Sequence, residues 1–216
     1  MVAGAGAGVV VSTVAALYVD AARGPYGRLR GVDLYAGEQT QGDMFAGAGF
    51  RDALKYAGPH PVVAHPPCGH WGRFRRRCQH PALWREGGPR AVEQVREFGG
   101  VLEHPAHSTL WAACGLPAPF AGVDEWDGWT LAIEQVDWGH PCKKPTWLYI
   151  VGLSRDDLPP MPAAGVPTHC MVRLHRNPHE LPELPKRQRH ITPAPLARWL
   201  VGLARKTGET QCARSA

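Results

Sequence analysis

The stretch PVVAHPPCGHWGRF, residues 61–74, begins as an apolar run and breaks at two prolines, with a cysteine just beyond the break. Val62, Val63 and Ala64 suit a buried strand, and proline cannot continue one, so the strand is expected to run into the HPPC turn. VLEHP, residues 101–105, likewise runs from apolar residues through polar ones into a proline. Between them, PRAVEQVREF (89–98) puts Val92, Val95 and Phe98 on one helical face, with Pro89 at a first helical position and Gly99-Gly100 behind it. Strand, helix, strand is the unit of a parallel sheet, and in such sheets reactive groups collect beyond the carboxyl ends of the strands. Cys68 and Glu103 are therefore expected to be neighbours in space although 35 residues separate them.

Working outward, Val9–Val19 is rich in β-branched residues and reads as a strand ending at Asp20, before the turn formers Gly24-Pro25-Tyr26-Gly27. Residues 27–49 are glycine-rich and contain DLYAG (33–37) and the start of DMFAGAGF (43–50). Arg51–Tyr56 is expected as a short helix, and Ala106–Cys114 as another, capped by Gly115. WTLAIEQVDWG (129–139) and PTWLYIVG (145–152) read as strands joined by HPCKK. Prolines are too frequent in 154–188 for regular structure, whereas ITPAPLARWLVGLARK (191–206) has the pattern of an amphipathic helix. The expectation is one α/β domain, residues 1–206, with a mainly parallel sheet, a proline-rich insert at 153–188 and a flexible tail at 207–216.

The formal charge of +5 is clustered in Arg73, Arg75, Arg76 and Arg77, in Lys143-Lys144, and from Lys186 to Arg205. Clustered basic charge fits a polyanionic partner, nucleic acid first; a solvated face is the competing reading. Six cysteines without a CxxC pair fit a reducing compartment, the cytoplasm. The glycine-rich amino terminus lacks a basic leader and is weakly apolar, so neither a signal peptide nor a membrane span is expected. His65, Cys68, His70, Cys78 and His80 are zinc-ligand types, but they form no tight ligand pairs, and no metal is expected.

A cysteine in a proline turn, with a carboxylate at the next strand end and cations nearby, suits attack on an electron-poor ring. Positive neighbours are expected to lower the thiol pKa, and a carboxylic acid facing a ring nitrogen would donate a proton. The competing roles are a structural thiol for Cys68 and a helix cap for Glu103.

Five segments resemble the DNA cytosine-5 methyltransferases. Pro67-Cys68 stands where that family has the Pro-Cys whose thiol adds to C6 of cytosine, and Glu103-His104-Pro105 stands at its Glu-Asn motif. Trp138-Gly139-His140-Pro141-Cys142-Lys143-Lys144-Pro145-Thr146, followed by Val151-Gly152, is similar to its Tyr-Gly-Val-Pro-Gln-x-Arg-x-Arg strand. The segment from Ile191 to Arg198 resembles its closing Asn-x-Val-Pro-Pro-x-x-Ala, and Asp43–Phe50 its Asp-Leu-Phe-x-Gly-x-Gly-Gly loop.

The resemblance implies a three-layer, Rossmann-like methyltransferase-type sheet in reduced form. It also implies Cys68, Glu103 and Lys144 as catalytic residues, and S-adenosylmethionine as donor, held by Phe45, Gly47, Gly49, Pro66, Pro67 and Thr192. DNA is the implied substrate, with Arg73, Arg75, Arg76, Arg77 and Lys143 on its phosphates and Trp71 and Phe74 near an extruded base. His104, Cys142, Lys144 and Thr146 replace the family's Asn, Gln and two Arg. The segment before the last helix is too short for the family's usual recognition domain, which a protein partner or a second copy would have to supply. Three further alternatives stay open: a donor loop at Leu17–Asp20 with the Gly24–Gly27 turn, a related enzyme acting on a free pyrimidine nucleotide or using another donor, and an inactive nucleic-acid-binding relative.

Overall fold

A computed structural model describes residues 12–37, 51–73, 75–78, 81–172 and 181–215. DMFAGAGF, with Phe45, Gly47 and Gly49, lies outside the described residues, as does Phe74. Seven strands form one sheet: β1 (Val14–Leu17), β2 (Val32–Ala36), β3 (Arg51–Asp52), β4 (Val62–Ala64), β5 (Gly100–Pro105), β6 (Trp129–Glu134) and β7 (Pro145–Val151). Their order is β3-β2-β1-β4-β5-β7-β6. Neighbours from β3 to β5 are parallel, and β7 runs antiparallel to both β5 and β6.

Period-two alternation sorts the side chains onto two faces. Val14, Ala16, Val63, Val101, Leu148 and Ile150 pack with Leu196, Leu200 and Leu203 of helix α3 (Ala194–Ser215). Ala15, Leu17, Val62, Ala64, Leu102 and Tyr149 pack with Val92 and Val95 of α1 (Pro81–Phe98) and with Leu110 of α2 (Thr109–Ala113). The central strands β1 and β4 are buried throughout, which is why they read as unbroken apolar runs. Among the described residues no helix is long and apolar enough to cross a membrane.

Several expectations change. Helix α1 starts at Pro81, which takes the first-turn role expected of Pro89, and Pro89 lies inside the helix. Gly87 and Gly88 precede it. A Cβ at Gly88 would lie 2.7 Å from Trp71 Nε1 and one at Gly87 3.3 Å from Pro67 Cδ, so the missing side chains let α1 pass close under the Cys68 turn. Residues 51–56 are a two-residue strand and a 3₁₀ turn, Ala53–Lys55, because Arg51 and Asp52 pair with Tyr35 and Ala36 on the sheet edge. Helix α3 continues to Ser215 through residues expected as a tail, with Thr207 buried and bonding back to the Ala204 carbonyl.

Candidate active site

The pairing of β4 with β5 sets the geometry. Ala64 is opposite Leu102, so the next residues, His65 and Glu103, stand side by side where β4 ends and β5 continues along β7. This register depends on Gly100, whose φ is +117° and whose Cβ would lie 2.0 Å from the Val62 carbonyl oxygen. Beyond His65 the chain turns through Pro66 and Pro67 to Cys68, whose carbonyl accepts from the amides of Trp71 and Gly72 at 3.1 and 2.7 Å. Backbone strain collects at the same edge: Tyr18 after β1 and His107 after β5 both have φ near +60°.

The Glu103 carboxylate is nearly buried and held on both oxygens. His65 Nδ1 is 2.9 Å from Oε2, and Gln135 Nε2 donates to Oε1 at 2.7 Å. Gln135 also donates to Thr146 Oγ1 at 3.1 Å, and Thr146 donates to the Lys144 carbonyl at 3.0 Å. On its other side, His65 Nε2 lies 2.6 Å from the Tyr26 hydroxyl, which is contributed by the 3₁₀ turn Pro25–Arg28. Burial by itself would raise the Glu103 pKa. The hydrogen bond and charge of His65, then Lys144 and His104, outweigh it and bring the carboxyl down to about 2. At neutral pH Glu103 is therefore an anion, not the protonated acid expected from the sequence.

Cys68 also departs from expectation. Its residue is exposed at the surface, yet the surrounding protein desolvates the thiol in part. That desolvation, followed by the Glu103 charge, pushes the thiol above its ordinary pKa; Lys144 pulls the other way. Cys68, Glu103 and Lys144 thus share one electrostatic neighbourhood.

His104 points to the opposite face, fully buried near Trp111, and neither ring nitrogen has a hydrogen-bond partner. Burial lowers its pKa to about 4, with Glu103 and the Pro67 backbone opposing. Cys142 is buried and Thr146 is committed to Gln135 and Lys144, so neither presents a base-binding group at the surface.

Arg73, Arg75, Arg76 and Lys143 are exposed, and the 3₁₀ turn Arg75–Arg77 follows the Cys68 loop directly. Trp71 is buried above Gly88 rather than free to wedge into a base stack. Trp138 and Trp199 pack edge to face at 5.3 Å, while Trp147 walls a cleft of about 350 Å³ beyond the ends of β5 and β6. His107, Glu134, Trp138, Thr146 and Met161 also line it. Thr146 links this cleft through Gln135 to Glu103.

In sheets of this type ligands bind where the strand order reverses, here between β1 and β4. Pro66 and Pro67 border that crevice, and Thr192 sits just before α3. After β1, the amides of Ala22 and Arg23 bond the Asp20 carboxylate and the Gly24 amide bonds the Asp20 carbonyl, so those three amides are already used. Among the described residues no three His, Cys, Asp or Glu side chains converge as metal ligands.

Tyr26, Gln135 and the carboxylate-holding role of His65 escape sequence reasoning, which weighed His65 only as a metal ligand. A polar residue at the carboxyl end of a buried strand was the available signal for His65; Tyr26 and Gln135 carry none. Comparison with known protein families, with curated proteins and with solved structures finds no match.

Proposed function

We propose that the chain is a pyrimidine-modifying enzyme of the thiol-addition type, resembling the DNA cytosine-5 methyltransferases. The observation that carries this reading is the β4–β5 register, which brings the Cys68 turn and Glu103 to adjacent strand ends within the influence of Lys144. The reversed strand β7 beside an otherwise parallel sheet, with helices on both faces, supports the methyltransferase-type architecture.

In this reading the Cys68 thiol gives up its proton to solvent and the thiolate forms a bond to C6 of cytosine; the C5–C6 π pair shifts toward N3, which is protonated through the Glu103 carboxylate as that group relays a proton to it. C5 is then electron-rich and accepts an electrophile. Loss of the C5 proton and cleavage of the S–C6 bond restore the ring. Lys144 favours the thiolate and the carboxylate alike. Exposed arginines beside the loop offer phosphate contacts, and the Trp147 cleft offers an aromatic wall for the rest of the nucleotide. S-adenosylmethionine is the donor the resemblance implies, and neither addition to C6 nor proton exchange at C5 depends on it.

A free nucleotide is the second substrate reading. Between Val151 and Ala194 the described residues contain one isolated bridge, Cys170 with Glu183, and one 3₁₀ turn, and no separate recognition domain is built from them.

Addition alone makes C5 exchange its proton with solvent, so the test is deuterium uptake at C5 in heavy water, read by mass spectrometry on single-stranded DNA, duplex DNA and deoxycytidine monophosphate. Wild-type protein is expected to exchange at least one of them and Cys68→Ser none, with circular dichroism unchanged. Equal uptake in both proteins, or none in either, overturns the reading.

A further inference from the structure

We propose that Tyr26 and His65 form a proton relay to Glu103, in which His65 lends Glu103 the proton that it passes to the substrate ring. This rests on the thiol-addition reading above and assigns roles to two residues to which the family resemblance gave none.

The geometry is a continuous line. His65 follows β4 on the face of Val63, toward Tyr26, and the β4–β5 register sets it beside Glu103. Its two ring nitrogens make the two contacts, 2.9 Å to Glu103 and 2.6 Å to the Tyr26 hydroxyl, with the Tyr26 and His65 rings 5.3 Å apart and tilted by 54°. The side chains of His65 and Glu103 are only 12% and 11% exposed, and Tyr26 is 2% exposed, so water does not compete freely for these bonds.

Chemistry selects His65 among the groups on the carboxylate. Gln135 is an amide that donates a hydrogen bond but cannot give up a proton near neutral pH, and Lys144 acts through its charge. An imidazole can give and regain a proton in this range. Burial and the Glu103 charge hold Tyr26 as a neutral phenol. The relay assigns the proton of the 2.6 Å contact to His65 Nε2, with the Tyr26 oxygen accepting, and so leaves Nδ1 as the exchanging nitrogen.

The steps balance with Cys68 entering as the thiolate, its proton given up to solvent beforehand, and His65 entering as the imidazolium. As Sγ bonds to C6, His65 passes its Nδ1 proton to the Glu103 carboxylate, which hands it on to N3. Glu103 ends as the anion it began, and His65 is left neutral, keeping its Nε2–H toward the Tyr26 oxygen. Elimination reverses each transfer, so the proton is borrowed and returned within one turnover. The charged and titratable groups around His65 are Tyr26 from the 3₁₀ turn, Glu103 and His104 from β5, and, acting on that carboxylate, Lys144; Cys68 lies in its own loop.

His65→Asn separates relay from scaffold, because the carboxamide can occupy the Nδ1 position and donate to Glu103 but cannot carry the proton. The relay predicts a fall in C5 exchange on the order of 10²-fold or more and a changed pH profile, as for loss of an acid–base group. It also predicts that the Glu103 carboxyl, followed by ¹³C NMR, titrates higher in His65→Asn than in wild type, because the His65 charge that holds it low is gone. Tyr26→Phe, a milder change, is expected to alter the pH profile with the fold intact. A His65→Asn protein with wild-type rate and pH profile overturns the relay. If wild-type protein exchanges no substrate, the thiol-addition reading falls separately, and an unmoved Glu103 titration in His65→Asn then overturns the proton coupling on its own.

Discussion

Acidification from pH 7 to pH 5 should weaken the fold through His104. The imidazole is fully buried, close to Trp111, and its contact with the Pro67 backbone falls short of a full hydrogen bond. Burial brings it from its ordinary 6.5 to about 4. A base depressed in the folded state takes up a proton on unfolding, so its stabilising contribution is present above the unfolded value and is lost as pH falls from 6.5 toward 4. At about 1.4 kcal/mol per pH unit the whole window amounts to roughly 3 kcal/mol, and the part between pH 7 and pH 5 to roughly 2 kcal/mol. Glu103 does not interfere, because its lowered value places its own loss between 4.5 and about 2, on the acid side. Urea unfolding at pH 7, 6 and 5 on wild type and His104→Leu measures the difference. His140, which burial also lowers, titrates in both proteins and cancels. Wild type should lose roughly 2 kcal/mol more than the variant over this range. Equal pH dependence in the two would refute a neutral, buried His104.

Two other perturbations test the geometry. Gly100→Ala drives a Cβ into the Val62 carbonyl at a positive φ, and is expected to cost about 3 kcal/mol or more by thermal melting, together with loss of Cys68-dependent exchange. Gly202→Ala, in α3 with nothing within 4 Å of the new Cβ, should instead stabilise by up to about 1 kcal/mol; a comparable loss at both sites would sink the register argument. Cys68 should alkylate more slowly than a free thiol at pH 8, more slowly still in Lys144→Gln, and faster in Glu103→Gln, as read by peptide mass spectrometry; the reverse order would contradict the electrostatics of the loop.

Much of the scaffold was readable because its signals are local. The β-branched runs at 62–64, 129–134 and 145–151 became strands, and the periodic segments ending at Phe98 and beginning near Pro195 became helices. Local rules erred where a neighbour in space took over. Pro89 looked like a helix start until Pro81 proved to take that place, and Arg51-Asp52 joined the sheet edge because β2 was there to pair with them. The thiol and carboxylate pKa directions were likewise beyond local reading, since the cations nearby act on Cys68 less strongly than desolvation and Glu103 do.

By itself the sequence determined that a thiol turn and a carboxylate lie at the ends of neighbouring parallel strands, because apolar runs, prolines and an intervening helix leave few other arrangements. Tertiary structure decided what surrounds that carboxylate. Tyr26 meets His65 across 39 residues, His65 meets Glu103 across 38, and Gln135 meets Glu103 across 32. Contacts of that span follow from strand order and register, which depend on how whole elements pack and not on any single stretch of chain. The identity of Glu103 is legible in VLEHP; that it is an anion held between an imidazole and an amide is a property of the folded sheet.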